Sequence, residues 1–339
     1  MSRDNPDEAS MKHLLISALV SLPLLAGPVL AEPAVEALGT DYTFPNRIDG
    51  MPGRLSDFAG LQIKRFTTND GVRLSYWEAG SGDPIVFVPA WGANGAELIN
   101  VIWLLSQSHH VYVLDPRNQG LSEKTLKGAR IARYSMDLNE FLDHVGLEKT
   151  VLAGWSMGVS VIWGYIDLFG TERISKAVFV DQPVSIYTHD DWSEEERLNA
   201  GGMTTSVERM IAAYQGAPTN HQIVDMKVVQ RSLMMDSPYT QNSAGFAHAV
   251  IDTDPAYTFR VLFDHAANDW RDVIEQKLDI PVAVFSGEES NNLPSQAWIA
   301  ETAPHGRLFN YTSAEEGDHF LMLKNPQKFV ADLRGFLAE

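Results

Sequence analysis

Cysteine is missing from all 339 residues, which removes disulfides, thiolate metal sites and a cysteine nucleophile together. Any covalent chemistry must use another side chain. Positive charge is scarce. The 26 lysines and arginines face 44 aspartates and glutamates, for a formal net charge of −18, and no stretch gathers basic residues into a patch. Such a chain has little with which to neutralise phosphates, so neither nucleic acid nor an anionic membrane surface is expected as a partner. Metal-ligand spacing of the H-E-x-x-H kind is absent. The lysine of a phosphate-binding loop and the glycine pattern of a dinucleotide turn are also missing, so no metal and no cofactor are expected. Internal repeats and low-complexity tracts are not seen.

Long apolar runs are missing too, with one exception at the N-terminus. Lys12 and His13 follow Met11 and precede the apolar run Leu14 to Leu25, and Val29-Leu30-Ala31 supplies small residues at −3 and −1 of a cleavage site. Residues 1–31 therefore read as a secretory signal peptide. The ten residues before Met11 are largely polar, with three acidic residues against one basic, the wrong character for its first part, so translation is expected to begin at Met11. The run is shorter than the ~20 residues of a membrane span, and Pro23, Gly27 and Pro28 interrupt it. An exported protein, periplasmic or secreted, with no stable membrane insertion after cleavage, is the expectation.

What is present suits a large core: apolar residues make up 45% of the chain. Residues 32–60 show little periodicity and read as an irregular leader. Ile63 to Thr67 and Val72 to Glu78 flank the turn signal Asn69-Asp70-Gly71 and predict a hairpin. Short apolar runs then alternate with helical patterns. The runs are Ile85 to Val88, Val111 to Leu114, Val151 to Ala153, Ala177 to Val180, Val282 to Phe285 and Leu308 to Tyr311, with helices over Met136 to Val145 and Val159 to Leu168. The pattern predicts an α/β fold, a mostly parallel sheet with helices on both faces. About a hundred residues separate Val180 from Val282 and carry helical patterns at Ser206 to Tyr214 and Ile223 to Met235. An insertion of that length reads as a helical cap over 184–277, leaving 61–183 and 278–339 as the core. Met203, Met210, Met226, Met234 and Met235 lie in it, either as ordinary core or as an adaptable apolar surface.

Gly154-Trp155-Ser156-Met157-Gly158 joins the strand ending at Ala153 to the helix that follows. A serine on a sharp strand-to-helix turn has its Oγ pushed out of the backbone, and flanking glycines let the turn close. With this elbow, the chain resembles an α/β-hydrolase from about Ile63 to its C-terminus. Three further landmarks carry the likeness. Val86-Phe87-Val88-Pro89-Ala90-Trp91-Gly92 stands where the family has a strand ending in His-Gly and an aromatic. Asp115-Pro116-Arg117-Asn118-Gln119-Gly120-Leu121-Ser122 matches the D-x-R-x-x-G-x-S turn, structural in the family. Gly317-Asp318-His319-Phe320 sits between the last strand and a C-terminal helix, as the family's catalytic histidine does. The resemblance implies Ser156 as nucleophile, His319 as general base, and the backbone N–H groups of Trp91 and Met157 as the oxyanion hole. It also implies a helical cap after the sixth strand.

The acid departs from the pattern. After Val282 to Phe285 the family usually reads Gly-x-x-Asp, whereas this chain reads Gly287-Glu288-Glu289-Ser290. Asp181, at the end of the sixth strand, lies where a minority of the family draws its acid and is favoured here. Glu289 and Glu288 are the alternatives.

The resemblance implies a cofactor-free serine hydrolase that cleaves a small carboxylic ester, lactone or thioester through an acyl-enzyme. Two other readings stand beside it: perhydrolysis with apparent haloperoxidase activity on the same triad, and a non-catalytic ligand-binding member of the fold. Dehalogenases and epoxide hydrolases of this fold carry aspartate at the elbow, which Ser156 argues against.

Overall fold

The computed structural model describes residues 32–45, 48–201, 208 and 237–339. The expected signal peptide, the helical patterns at Ser206 to Tyr214, residue 208 apart, and Ile223 to Met235, and the five methionines expected in a cap lie outside the described residues.

Strands β1 (Glu32–Pro33), β2 (Gln62–Thr67), β3 (Arg73–Gly80), β4 (Pro84–Val88), β5 (His110–Leu114), β6 (Thr150–Trp155), β7 (Ile174–Val180), β8 (Val282–Gly287) and β9 (Gly306–Tyr311) form one sheet in the order β1-β2-β3-β5-β4-β6-β7-β8-β9. The pairs from β5 to β9 are parallel and those from β1 to β5 antiparallel. The predicted hairpin is β2–β3. Thr67 pairs with Arg73, and the Gly71 N–H returns to the Thr68 carbonyl at 2.9 Å.

Alternation along the central strands separates two cores. Ile85 and Phe87 of β4, Val151, Ala153 and Trp155 of β6, and Val178 and Val180 of β7 face one side. Val86, Val88, Leu152 and Phe179 face the other. Helices α1 (Ala34–Leu38), α2 (Ile99–Ser106) and the C-terminal Pro326–Leu337 cover the first side; α3 (Ile131–Val145) and α4 (Met157–Phe169) cover the second. Every residue of β6 is buried, as a central parallel strand requires.

Two differences from expectation have simple causes. Helix α3 starts five residues before Met136, because Ile131 and Tyr134, three apart, extend the apolar stripe by a turn. The leader is less irregular than its sequence suggests. Its β1 adds to the sheet edge, and Tyr42 and Phe44 pack their rings on Phe246 at 5.1 and 5.4 Å. These are long-range contacts, to which local periodicity is blind. Between β7 and β8 the described residues form α5 (Glu194–Ala200) and further short helices, Thr240–Val250 the longest among them.

Candidate active site

Chain order reverses around β4, which lies between β5 and β6, and a crevice opens beyond the carboxyl ends of strands at such a switch. Ser156 sits there. Val88 of β4 pairs with Gly154 and Trp155 pairs with Val180, so the residues after β4, β6 and β7 converge.

Ser156 caps α4 at φ 51° and ψ −125°, outside the regions ordinary L-residues occupy. Its N–H is held by the Val180 carbonyl at 2.9 Å, and it is partly exposed between buried neighbours. Gly158 shows why the turn needs glycine: a Cβ there would lie 1.9 Å from the Val88 carbonyl oxygen and 2.8 Å from that of Pro89. This close approach brings the residues after β4, with Trp91, against the first turn of α4. Met157 opens that helix, so its N–H has no partner one turn back. Trp91 fixes its own side chain on the segment between β7 and β8. Its indole N–H donates to the Thr258 carbonyl at 2.8 Å, and its ring meets Phe259 edge-on at 4.9 Å.

His319 is bonded to Asp181. The distance from Nδ1 to Oδ2 is 2.7 Å, and since an ionised carboxylate only accepts, the ring donates. When the ring carries one proton, Nε2 is its acceptor. The His319 side chain is 34% exposed and the Asp181 side chain fully buried. On the other side the Trp155 indole donates to the His319 carbonyl at 2.8 Å, tying the histidine loop to the residue before Ser156. Gly287 helps to place that loop, because the backbone of Gly317 lies 2.1 Å from where its Cβ would stand.

Asp181 also departs from ordinary backbone geometry, at φ 50°, with its N–H on the Phe285 carbonyl at 2.9 Å. Its carboxylate accepts from Ser286 Oγ at 2.5 Å, Ser290 Oγ at 2.8 Å and Asn292 Nδ2 at 3.0 Å as well as from His319. Burial raises this carboxyl, and the hydrogen bond and charge of His319, helped by the two serines, outweigh it and leave the group below the ordinary carboxylate range. Glu288 accepts from the Ser313 N–H at 3.0 Å and Glu289 from the Ser313 hydroxyl, so both glutamates bond to the turn after β9. Ser286, Ser290 and Asn292 were not singled out as site residues in the sequence. Their signal is partial: Ser290 occupies the usual acid position, but only the register of β7 against β8 shows which carboxylate it serves.

A family profile for the alpha/beta hydrolase fold matches residues 83–299, which include Ser156 and Asp181. The chain is an α/β-hydrolase. Among its relatives are a non-heme chloroperoxidase of Kitasatospora aureofaciens, 24% identical over 80% of this hydrolase and 98% of the relative, and the pimeloyl-[acyl-carrier protein] methyl ester esterase of Aliivibrio fischeri, 24% identical over 77% and 96%. The solved esterase from Exiguobacterium antarcticum superposes with a TM-score of 0.66 at 19% identity, over 81% of this hydrolase and 99% of that chain. Among the described residues no group of His, Asp and Glu is arranged to hold a metal ion. No helix there is long and apolar enough to cross a membrane.

Proposed function

We propose that this hydrolase cleaves a small carboxylic ester, lactone or thioester through an acyl-enzyme on Ser156. The observation that carries the reading is the 2.7 Å bond from His319 to the buried Asp181, one strand from the elbow serine. In this scheme Nε2 of His319 takes the Ser156 proton as Oγ attacks the carbonyl, then passes it to the leaving group. Asp181 keeps the proton of the neutral ring on Nδ1 and stabilises the imidazolium. The N–H groups of Trp91 and Met157 receive the oxyanion. Water then repeats the cycle on the acyl-enzyme. An esterase among the relatives supports the ester class. Export, with cleavage after Ala31, belongs to the same proposal and rests on residues 11–31.

Hydrolysis of a p-nitrophenyl ester panel in H₂¹⁸O tests it. The label is expected in the released acid, with activity lost in Ser156→Ala. Equal turnover by that variant would contradict the reading.

A second reading is favoured by the chloroperoxidase relative. Hydrogen peroxide in place of water would take the acyl group and leave as a peracid, which oxidises bromide. Bromide oxidation that requires both peroxide and a carboxylic acid, and is lost in Ser156→Ala, would support it. Oxidation independent of the acid would count against it.

A further inference from the structure

Gln119, in the turn after β5, is buried to 1% exposure and spends its side chain on one short loop. Its amide nitrogen donates to the carbonyls of Ala90 and Ala93, both at 2.9 Å, and its amide oxygen accepts from the Gly92 N–H at 2.9 Å. Three hydrogen bonds therefore bracket Trp91. The Ala93 N–H returns to the Ala90 carbonyl at 3.1 Å, closing a turn over the same residues.

The bond to Ala90 has a directional consequence. The Ala90 carbonyl and the Trp91 N–H belong to one planar trans peptide, so they point in opposite directions. Fixing the carbonyl on Gln119 fixes where the N–H points. A hydrogen bond to the carbonyl end also polarises the peptide and strengthens its donor. No strand pairing does this work, since β4 ends at Val88. The indole bond to Thr258 holds the side chain but leaves the peptide plane free to rotate.

We infer that Gln119 is a positioning residue for the oxyanion hole, acting through the Ala90–Trp91 peptide; this rests on the acyl-enzyme reading. Donors aimed at the developing charge count only when their direction is set beforehand. Gln119→Met keeps the length of the side chain and removes all three bonds. Gln119→Glu keeps the shape and the acceptor for Gly92, but as a carboxylate has no proton for the two carbonyls.

The experiment measures kcat and KM for p-nitrophenyl butyrate and Ki for an alkyl trifluoromethyl ketone, which forms a tetrahedral adduct on serine and places its oxygen in the hole. For both variants kcat is expected to fall about 10- to 100-fold with KM within about twofold of wild type, and Ki to rise by the factor that kcat/KM loses. A residue that only packs would leave Ki in step with KM. Unchanged kcat/KM in a folded Gln119→Glu, or a fall in kcat/KM with Ki unmoved, would overturn the inference. A wild type that neither turns over the ester nor binds the ketone would overturn the ester reading as well, so the two failures are distinguishable.

Discussion

Ser290 donates its hydroxyl to the carboxylate of Asp181 at 2.8 Å, from the position in the turn after β8 where the α/β-hydrolase pattern usually has the acid itself. The carboxylate stands one strand over, and the vacated position hydrogen-bonds to it. In the proposed scheme Asp181→Asn keeps the shape and loses the charge that holds the histidine tautomer, so kcat is expected to fall about 10⁴-fold. Glu289→Gln, on a residue turned to Ser313, is expected to stay within about twofold. Parallel steady-state kinetics check both. The pair Asp181→Ser with Ser290→Asp, which exchanges the two positions, is expected to recover part of the activity that Asp181→Ser loses.

Much of this was legible in the sequence. The strands from Ile85 onward and the elbow at Ser156 are set by local pattern, because a strand, a sharp turn and a helix each leave a periodic trace. Strand pairing leaves none. For that reason the sequence favoured Asp181 only narrowly over Glu288 and Glu289, although His319 is bonded to Asp181 in the structure. For the same reason nothing in the sequence separates Gln119 from the rest of its turn. Its three partners lie 26 to 29 residues away and meet it only when β4 and β5 pair.

Gly158 is expected to tolerate no side chain. In Gly158→Ala the new methyl meets the Val88 carbonyl oxygen at 1.9 Å, and backbone must move on one side or the other. Either shift disturbs the approach of the Trp91 segment to the first turn of α4, so kcat for a p-nitrophenyl ester should drop about 10²-fold, a loss comparable to removing one oxyanion donor. Full activity in the variant would argue against a hole shared between Trp91 and Met157.

Arg117 is expected to matter for stability. It is fully buried and reaches Asp137 through two bonds at 2.8 Å and Asp70 through two at 3.0 Å. Its hydrogen bond is the main reason the Asp70 carboxyl is pulled down to about 2. Arg117→Met strands the buried Asp137 with fewer partners, a change that typically costs about 3–5 kcal/mol. Urea unfolding of the two proteins measures it.

His265 gives an acid-side prediction. It is buried, its Nδ1 has no hydrogen-bond partner, and burial lowers its pKa to about 4. The fold holds it neutral while the unfolded chain protonates near pH 6.5, so between those values the unfolded state binds more protons. Its contribution is present above about pH 6.5 and is lost as pH falls towards 4, by about 3 kcal/mol at most. His265→Leu should lose less stability than wild type over that range in urea unfolding. Parallel curves would show that another group sets the acid limb.

The proposed scheme turns on an activated serine at position 156. Intact mass of the folded protein before and after a fluorophosphonate, beside Ser156→Ala, reads it most directly. One adduct is expected on the wild type and none on the variant. No adduct on the wild type, or an equal adduct on Ser156→Ala, would contradict it.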